Sequence, residues 1–185
     1  MINKKALIKT ILLYGSIAGL LSIAYIFILH SSGIIPLAGK KAPSIVFTLI
    51  MMILAVRHYR KQKVDEILHF WEGMMVANGT LLLSACLSAL FLFVFLSYIE
   101  PSVLTTYIVQ SIQEFQVLRV KSQFIQELGE GAYIHVIDGF RRLSSQDIAI
   151  DEVVGLQGKL PLGFVVSVLI SLYYRRQYVL DVSQN

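Results

Sequence analysis

Charge is scarce in this sequence. Asp, Glu, Lys and Arg together make up 15% of its 185 residues, where a soluble domain carries about 25%. Long stretches have no charge at all, and the charges that exist cluster in short blocks between them. That distribution argues against a large soluble core and points to segments that live in hydrocarbon. Cysteine is nearly missing. Cys86 is the single one, so no internal disulfide can form, and within its apolar run it reads as a small hydrophobe. Also absent are a G-x-x-x-x-G-K-[ST] loop, a G-x-G-x-x-G turn after a strand and a G-x-S-x-G elbow, so no phosphate-cradling or acyl-transfer signature is present. The net charge of +4 comes from basic residues that flank apolar runs. No basic patch interleaves with aromatics, so membrane topology accounts for the charge and nucleic acid is not an expected partner.

What the chain does have is four apolar runs. A spanning helix needs about 20 residues at 1.5 Å each. The first run, Thr10 to Leu29, follows Lys4, Lys5 and Lys9 and meets that length. It exceeds the apolar core of a cleavable signal peptide, and no Ala-x-Ala site follows it. Ser31, Ser32, Gly33 and Pro36 then read as a connection, with Lys40 and Lys41 at its far edge. The second run, Ala42 to Val56, is short. Snorkelling lysines at one end, and His58 and Tyr59 at the other, would extend it. Arg57, Arg60, Lys61 and Lys63 form a basic connector, diluted by Asp65, Glu66 and Glu72. The third run, Gly73 to Ile99, is the longest, with Trp71 and Tyr98 placed to sit in the headgroup belt. The last, Leu160 to Tyr174, is short again and closes on Tyr173, Tyr174, Arg175 and Arg176. The spans are therefore placed at roughly 8–30, 42–60, 72–99 and 158–176. No internal repeat or low-complexity tract is visible.

Between the third and fourth runs, residues 101–158 read as amphipathic rather than spanning. Glu100-Pro101 ends the third helix. Leu104, Ile108, Ile112, Phe115 and Leu118 recur at helical spacing, and Gln110, Gln113, Glu114 and Lys121 fall elsewhere. Gly129 and Gly131 are expected to break this helix. Tyr133, Ile137 and Phe140 form a second stripe. Ser144 and Ser145 are N-cap candidates for a short third helix carrying Ile148, Val153 and Val154. Four spans place both termini on one side. The termini and the connector carry most of the basic residues, while the 101–158 segment is net negative, so the termini are expected in the cytoplasm and the segment outside it. The expected fold class is all-α: an integral four-helix bundle of the inner (cytoplasmic) membrane with an amphipathic helical extracytoplasmic segment. Capping the bundle is the default role of that segment.

Few positions stand out as sites. Gly15 and Gly19 form a G-x-x-x-G pair, and Ser84 and Ser88, with Ala85 and Ala89, offer a similar small face. Such faces let helix backbones approach closely, either within the chain or between two copies. Glu72 reads as a helix-start charge that complements the macrodipole, and Asn78 as an interhelical hydrogen-bonding group. An ionisable or strongly polar group inside a bilayer is a site hypothesis by default. His69 with Glu72, and His135 with Asp138, lie three residues apart, but two ligands do not make a metal site, and His30 and His58 add none. Neither metal nor cofactor is expected.

The order of features resembles the bacterial membrane family DUF4199. The resemblance is carried by Ile53 to Tyr59 with Arg60 (I-L-A-V-R-H-Y-R), by Phe70 to Gly73 (F-W-E-G), by a long segment before Pro161-Leu162-Gly163, and by the Tyr-Tyr-Arg-Arg ending. It implies four spanning helices and no known activity. From the residues themselves, the expectation is a non-enzymatic membrane protein in the lipid bilayer, acting through helix or partner contacts, with a homo-oligomer or another membrane protein as partner. A small transporter or channel subunit is the alternative.

Overall fold

The computed structural model describes residues 4–63, 67–121, 129–155 and 158–182. Asp65 and Glu66 of the connector lie outside the described residues, as do the side chains of Leu118, Lys121 and Arg176. Among the described residues there is no strand, and there are seven α-helices: α1 (Lys4–Ser31), α2 (Ser44–Lys61), α3 (Phe70–Val94), α4 (Pro101–Lys121), α5 (Gly129–Arg141), α6 (Ser145–Val154) and α7 (Lys159–Val182). A 3-10 turn, Ala38–Lys41, precedes α2, and a π turn, Phe95–Ile99, follows α3.

The helix ends follow from local chemistry. Past α1, the Ile34 amide bonds to the Leu29 carbonyl and the Gly33 amide to the His30 carbonyl, both at 3.0 Å. This is the Schellman pattern, which needs a left-handed residue, and Gly33 supplies it with φ +71°. Glu100 leaves the helical region at φ −142°, ψ 72°, because a residue before proline is pushed away from it. Pro101 then opens α4, where its missing amide costs nothing. At α6, Ser144 and Asp147 form a capping box: the Ser144 amide donates to Asp147 Oδ2 at 2.9 Å, and the Asp147 amide donates to Ser144 Oγ at 3.2 Å. One expectation is corrected. Gly131 does not break a helix, since α5 begins at Gly129 and runs through it. A helical glycine costs only about 1 kcal/mol, and the stacking of Tyr133 on Phe115 described below offsets it.

The chain is a membrane protein. Four helical stretches are long and apolar enough to cross a bilayer: Lys4–Ser31, Ala38–Lys61, Phe70–Ile99 and Ser145–Arg175. Their side chains are sorted in the reverse of a soluble protein. Leu20, Ile28 and Leu90 are each 62% exposed, whereas Ser22, Thr48, Thr80, Ser84 and Ser167 are 0% exposed. Large apolar groups facing outward and small hydroxyls facing inward is the arrangement that lipid favours.

The chain divides into two compact units. The first comprises Met1–Phe91 with Ile150–Asn185. In it, α3 touches each of the other long helices at small residues. An added Cβ at Gly15 would lie 2.8 Å from Leu83, one at Gly19 2.9 Å from Leu87, and one at Gly163 2.4 Å from Leu81. Thr48 Oγ1 of α2 and Ser84 Oγ of α3 share a hydrogen bond of 3.0 Å. Met52, Val56 and Tyr59 of α2 pack with Val76 of α3 and Ile170 of α7 in one buried cluster. The second unit is Leu92–Ala149. There Phe115 of α4 stacks on Tyr133 of α5, with ring centroids 5.7 Å apart, and meets Phe140 at 6.5 Å. Leu104, Ile108 and Ile112 are half-buried while Gln110, Gln113 and Glu114 are exposed, as the helical spacing predicts.

Candidate functional site

Inside the first unit, five side chains from five elements converge. Glu152 lies near the end of α6, Lys159 is the first residue of α7, Lys41 closes the 3-10 turn before α2, Ser22 is on α1 and Ser88 on α3. Lys159 Nζ donates to Ser88 Oγ at 2.8 Å and Ser22 Oγ at 3.0 Å, and lies 3.2 Å from Glu152 Oε1. Lys41 Nζ lies 3.0 Å from the other carboxylate oxygen, Oε2. Ser88 Oγ is also 3.2 Å from Glu152 Oε1, and Ser22 Oγ donates to the Ala18 carbonyl at 2.9 Å. The three charged residues are 2–4% exposed. A buried ammonium needs all of its protons accepted, and Lys159 has three acceptors in reach.

This centre lies well in from the ends of two long helices. Ser22 lies about 13 Å along α1 from the Ser31 end, and Ser88 about 16 Å along α3 from Ile99, at 1.5 Å per residue. The chain reaches it twice, once at the turn before α2 and once at the start of α7. The break is tight: the Gly155 amide bonds to the Asp151 carbonyl at 3.0 Å, and a Cβ at Gly158 would lie 2.6 Å from that same carbonyl. The second and fourth apolar runs are short because each opens on a lysine that is buried and paired. Lys40 is exposed, but Lys41, expected to mark the edge, turns inward.

A second ion pair, half-buried at its lysine, stands at the other end of α3. Lys63 Nζ contacts Glu72 Oε2, which also accepts the His69 amide at 3.1 Å. Glu72 is 3% exposed. Three residues into α3, it reaches back to the amide before the helix, which is the helix-start role read from the sequence. His69 contributes that amide, and its side chain is exposed. Further along α3, Thr80, Ser84 and Ser88 are all fully buried. Glu72 and Ser88 lie about 24 Å apart along the helix.

The positions singled out by sequence are accounted for as follows. Gly15 and Gly19 face α3 of their own chain. Ser84 bonds to Thr48 and Ser88 joins the ionic centre. Asn78 is corrected: its amide donates to the Met74 carbonyl of its own helix at 3.0 Å. It sits half-buried in a groove lined by Leu82, Leu160, Pro161 and Phe164, which offer no side-chain partner. His135 is exposed and Asp138 half-buried on α5. Sequence reasoning missed Lys41, Glu152 and Lys159. A signal was available: the two short runs open alike, Lys41-x-Pro43 and Lys159-x-Pro161. Short, glycine- or proline-interrupted segments in matching places mark polar sites in membrane folds.

The family model described as protein of unknown function (DUF4199) matches residues 13–176. No curated protein and no solved structure matches.

Proposed function

We propose, for a chain that belongs to DUF4199, a family of proteins of unknown function, that it is a non-enzymatic multi-pass protein of the inner membrane that acts through partner contacts. Both termini lie in the cytoplasm, and the α4–α5 segment lies outside it. The orientation rests on the basic residues: Lys4, Lys5, Lys9, Arg57, Arg60, Lys61 and Lys63 fall on the side of the termini, and short basic flanks stay inside. The contact role rests on one observation. The α4–α5 pair is held by its own aromatic stack yet leaves Val109, Val117, Ile134 and Val136 exposed, at 40–55%. A helical segment with surplus apolar surface is suited to a partner. Replacing residues 104–141 with a short polar loop tests this. Membrane insertion should persist while a co-purifying complex on a native gel disappears. An unchanged complex would refute the role, and terminal tags reporting opposite compartments would refute the orientation.

A second reading, a small transporter, is favoured by a different observation: charged side chains are buried beside an interrupted helix. Such a break is where transporters place their binding sites. Ion flux through vesicles containing the full chain tests it.

A further inference from the structure

Asn78 is the only amide side chain in the third span, Phe70–Ile99. It stands between two ionic groups of the molecule. The Glu72–Lys63 pair lies about 9 Å back along α3, and Ser88 of the Lys159 centre about 15 Å on. Around it the surface is apolar and faces outward. Leu82 and Phe164 are 47% and 53% exposed, and with Val154, Leu160 and Pro161 they line a groove of about 590 Å³ over Asn78. Asn78 Nδ2 gives one proton to the Met74 carbonyl at 3.0 Å, its only hydrogen bond among the described residues. The second Nδ2 proton and Oδ1 face the groove without a partner.

Lipid tails cannot satisfy these atoms, and an unpaired amide is costly in an apolar medium. Lipid ester and headgroup atoms lie at the interface, where the 68% exposed Trp71 sits, about 10 Å from Asn78 along α3. The groove therefore calls for a partner that brings both a donor and an acceptor to this level of the bilayer. A second copy of the chain does so. Two copies inserted the same way hold Asn78 at the same level, and a two-fold axis normal to the membrane turns one face toward its equal. The side-chain amide is self-complementary: Oδ1 of one copy accepts from Nδ2 of the other, and the reverse. A single asparagine on an apolar helix face fixes pairing and register in this way.

We propose that the chain forms a symmetric dimer within the membrane, with the Asn78 groove as the contact and the two Asn78 amides paired at its centre. Leu82, Val154 and Phe164 flank that pair and keep lipid from it. The surface is separate from Gly15 and Gly19, which Leu83 and Leu87 of the same chain already cover. It draws nothing from the α4–α5 segment, so the inference goes beyond the partner contact proposed there and stands or falls apart from it.

The test traps the contact in vesicles of neutral and anionic phospholipid at high lipid dilution. The full chain with Cys86→Ser and Leu82→Cys carries one thiol, one turn from Asn78 in the groove, and copper phenanthroline oxidises close pairs of thiols to a disulfide. A cross-linked dimer should form several-fold faster than from Leu20→Cys in the same Cys86→Ser chain, a position 62% exposed on α1. Adding Asn78→Leu should slow trapping about fivefold or more, as loss of an interhelical hydrogen bond in lipid implies. The melting temperature should hold, because Asn78 bonds to no second helix of its own chain. Asn78→Gln keeps a donor and an acceptor and should retain most of the cross-link. Equal trapping at the two positions, or a rate untouched by Asn78→Leu, overturns the proposal. So does a cross-link lost when residues 104–141 are replaced, which would move the contact to the α4–α5 segment.

Discussion

Lys41 and Lys159 open two different spans and grip opposite oxygens of a single carboxylate, that of Glu152, at 3.0 and 3.2 Å. The relationship explains three features at once. The second and fourth apolar runs are short because each begins at a lysine buried in an ion pair. The helix before α7 is interrupted because Glu152 and Lys159 must both reach inward. And α1 and α3 carry serines at Ser22 and Ser88 because the remaining protons of Lys159 need acceptors without charge.

The close approach of α1 to α3 predicts a stability effect within one chain. A side chain at Gly15 runs into Leu83, and at Gly19 into Leu87. Gly15→Ile and Gly19→Ile should each destabilise the folded chain by about 1–3 kcal/mol through overpacking, read as a lower melting temperature in mild detergent. Leu83→Ala should recover part of the loss in Gly15→Ala. A Gly15→Ile chain that melts normally but loses an oligomer would place that face between copies instead.

The start of α6 depends on Ser144. Its hydroxyl and amide both engage Asp147. Ser144→Ala should cost about 1 kcal/mol, and hydrogen exchange at the first amides of α6 should quicken while those of α3 stay slow. Equal protection in both proteins would remove the cap from the account.

The Thr48–Ser84 hydrogen bond links α2 to α3 without charge. A double-mutant cycle with Thr48→Val and Ser84→Ala should return a coupling of about 0.6 kcal/mol, typical of hydroxyl pairs in membrane helices. Additive effects would mean that the two hydroxyls find other partners when separated.

Much of this was legible in the sequence because it is local. Four long uncharged runs, Gly33 after a helix, Glu100-Pro101 and the Ser144–Asp147 spacing each carry their cause within a few residues. The partners were not legible. Gly15 and Gly19 announce a close contact but not the helix they meet. Asn78 announces a need for a hydrogen bond, and the nearest acceptor was on its own helix. Glu152 looked like one more charge in an amphipathic segment, since nothing local distinguishes a solvated glutamate from one drawn between two lysines. Burial of charge depends on residues far apart in the chain, and only the matching Lys-x-Pro openings hinted at it.

The most direct test is a double-mutant cycle at Glu152 and Lys159, followed by thermal unfolding of the full chain in lipid nanodiscs. Glu152→Ala leaves two buried ammoniums without their counter-charge and should cost about 3–5 kcal/mol, and Lys159→Met, which strips a partner from Glu152, should cost nearly as much. The two together should destabilise less than Glu152→Ala alone. Single losses that are small and simply add would contradict a buried, shared carboxylate.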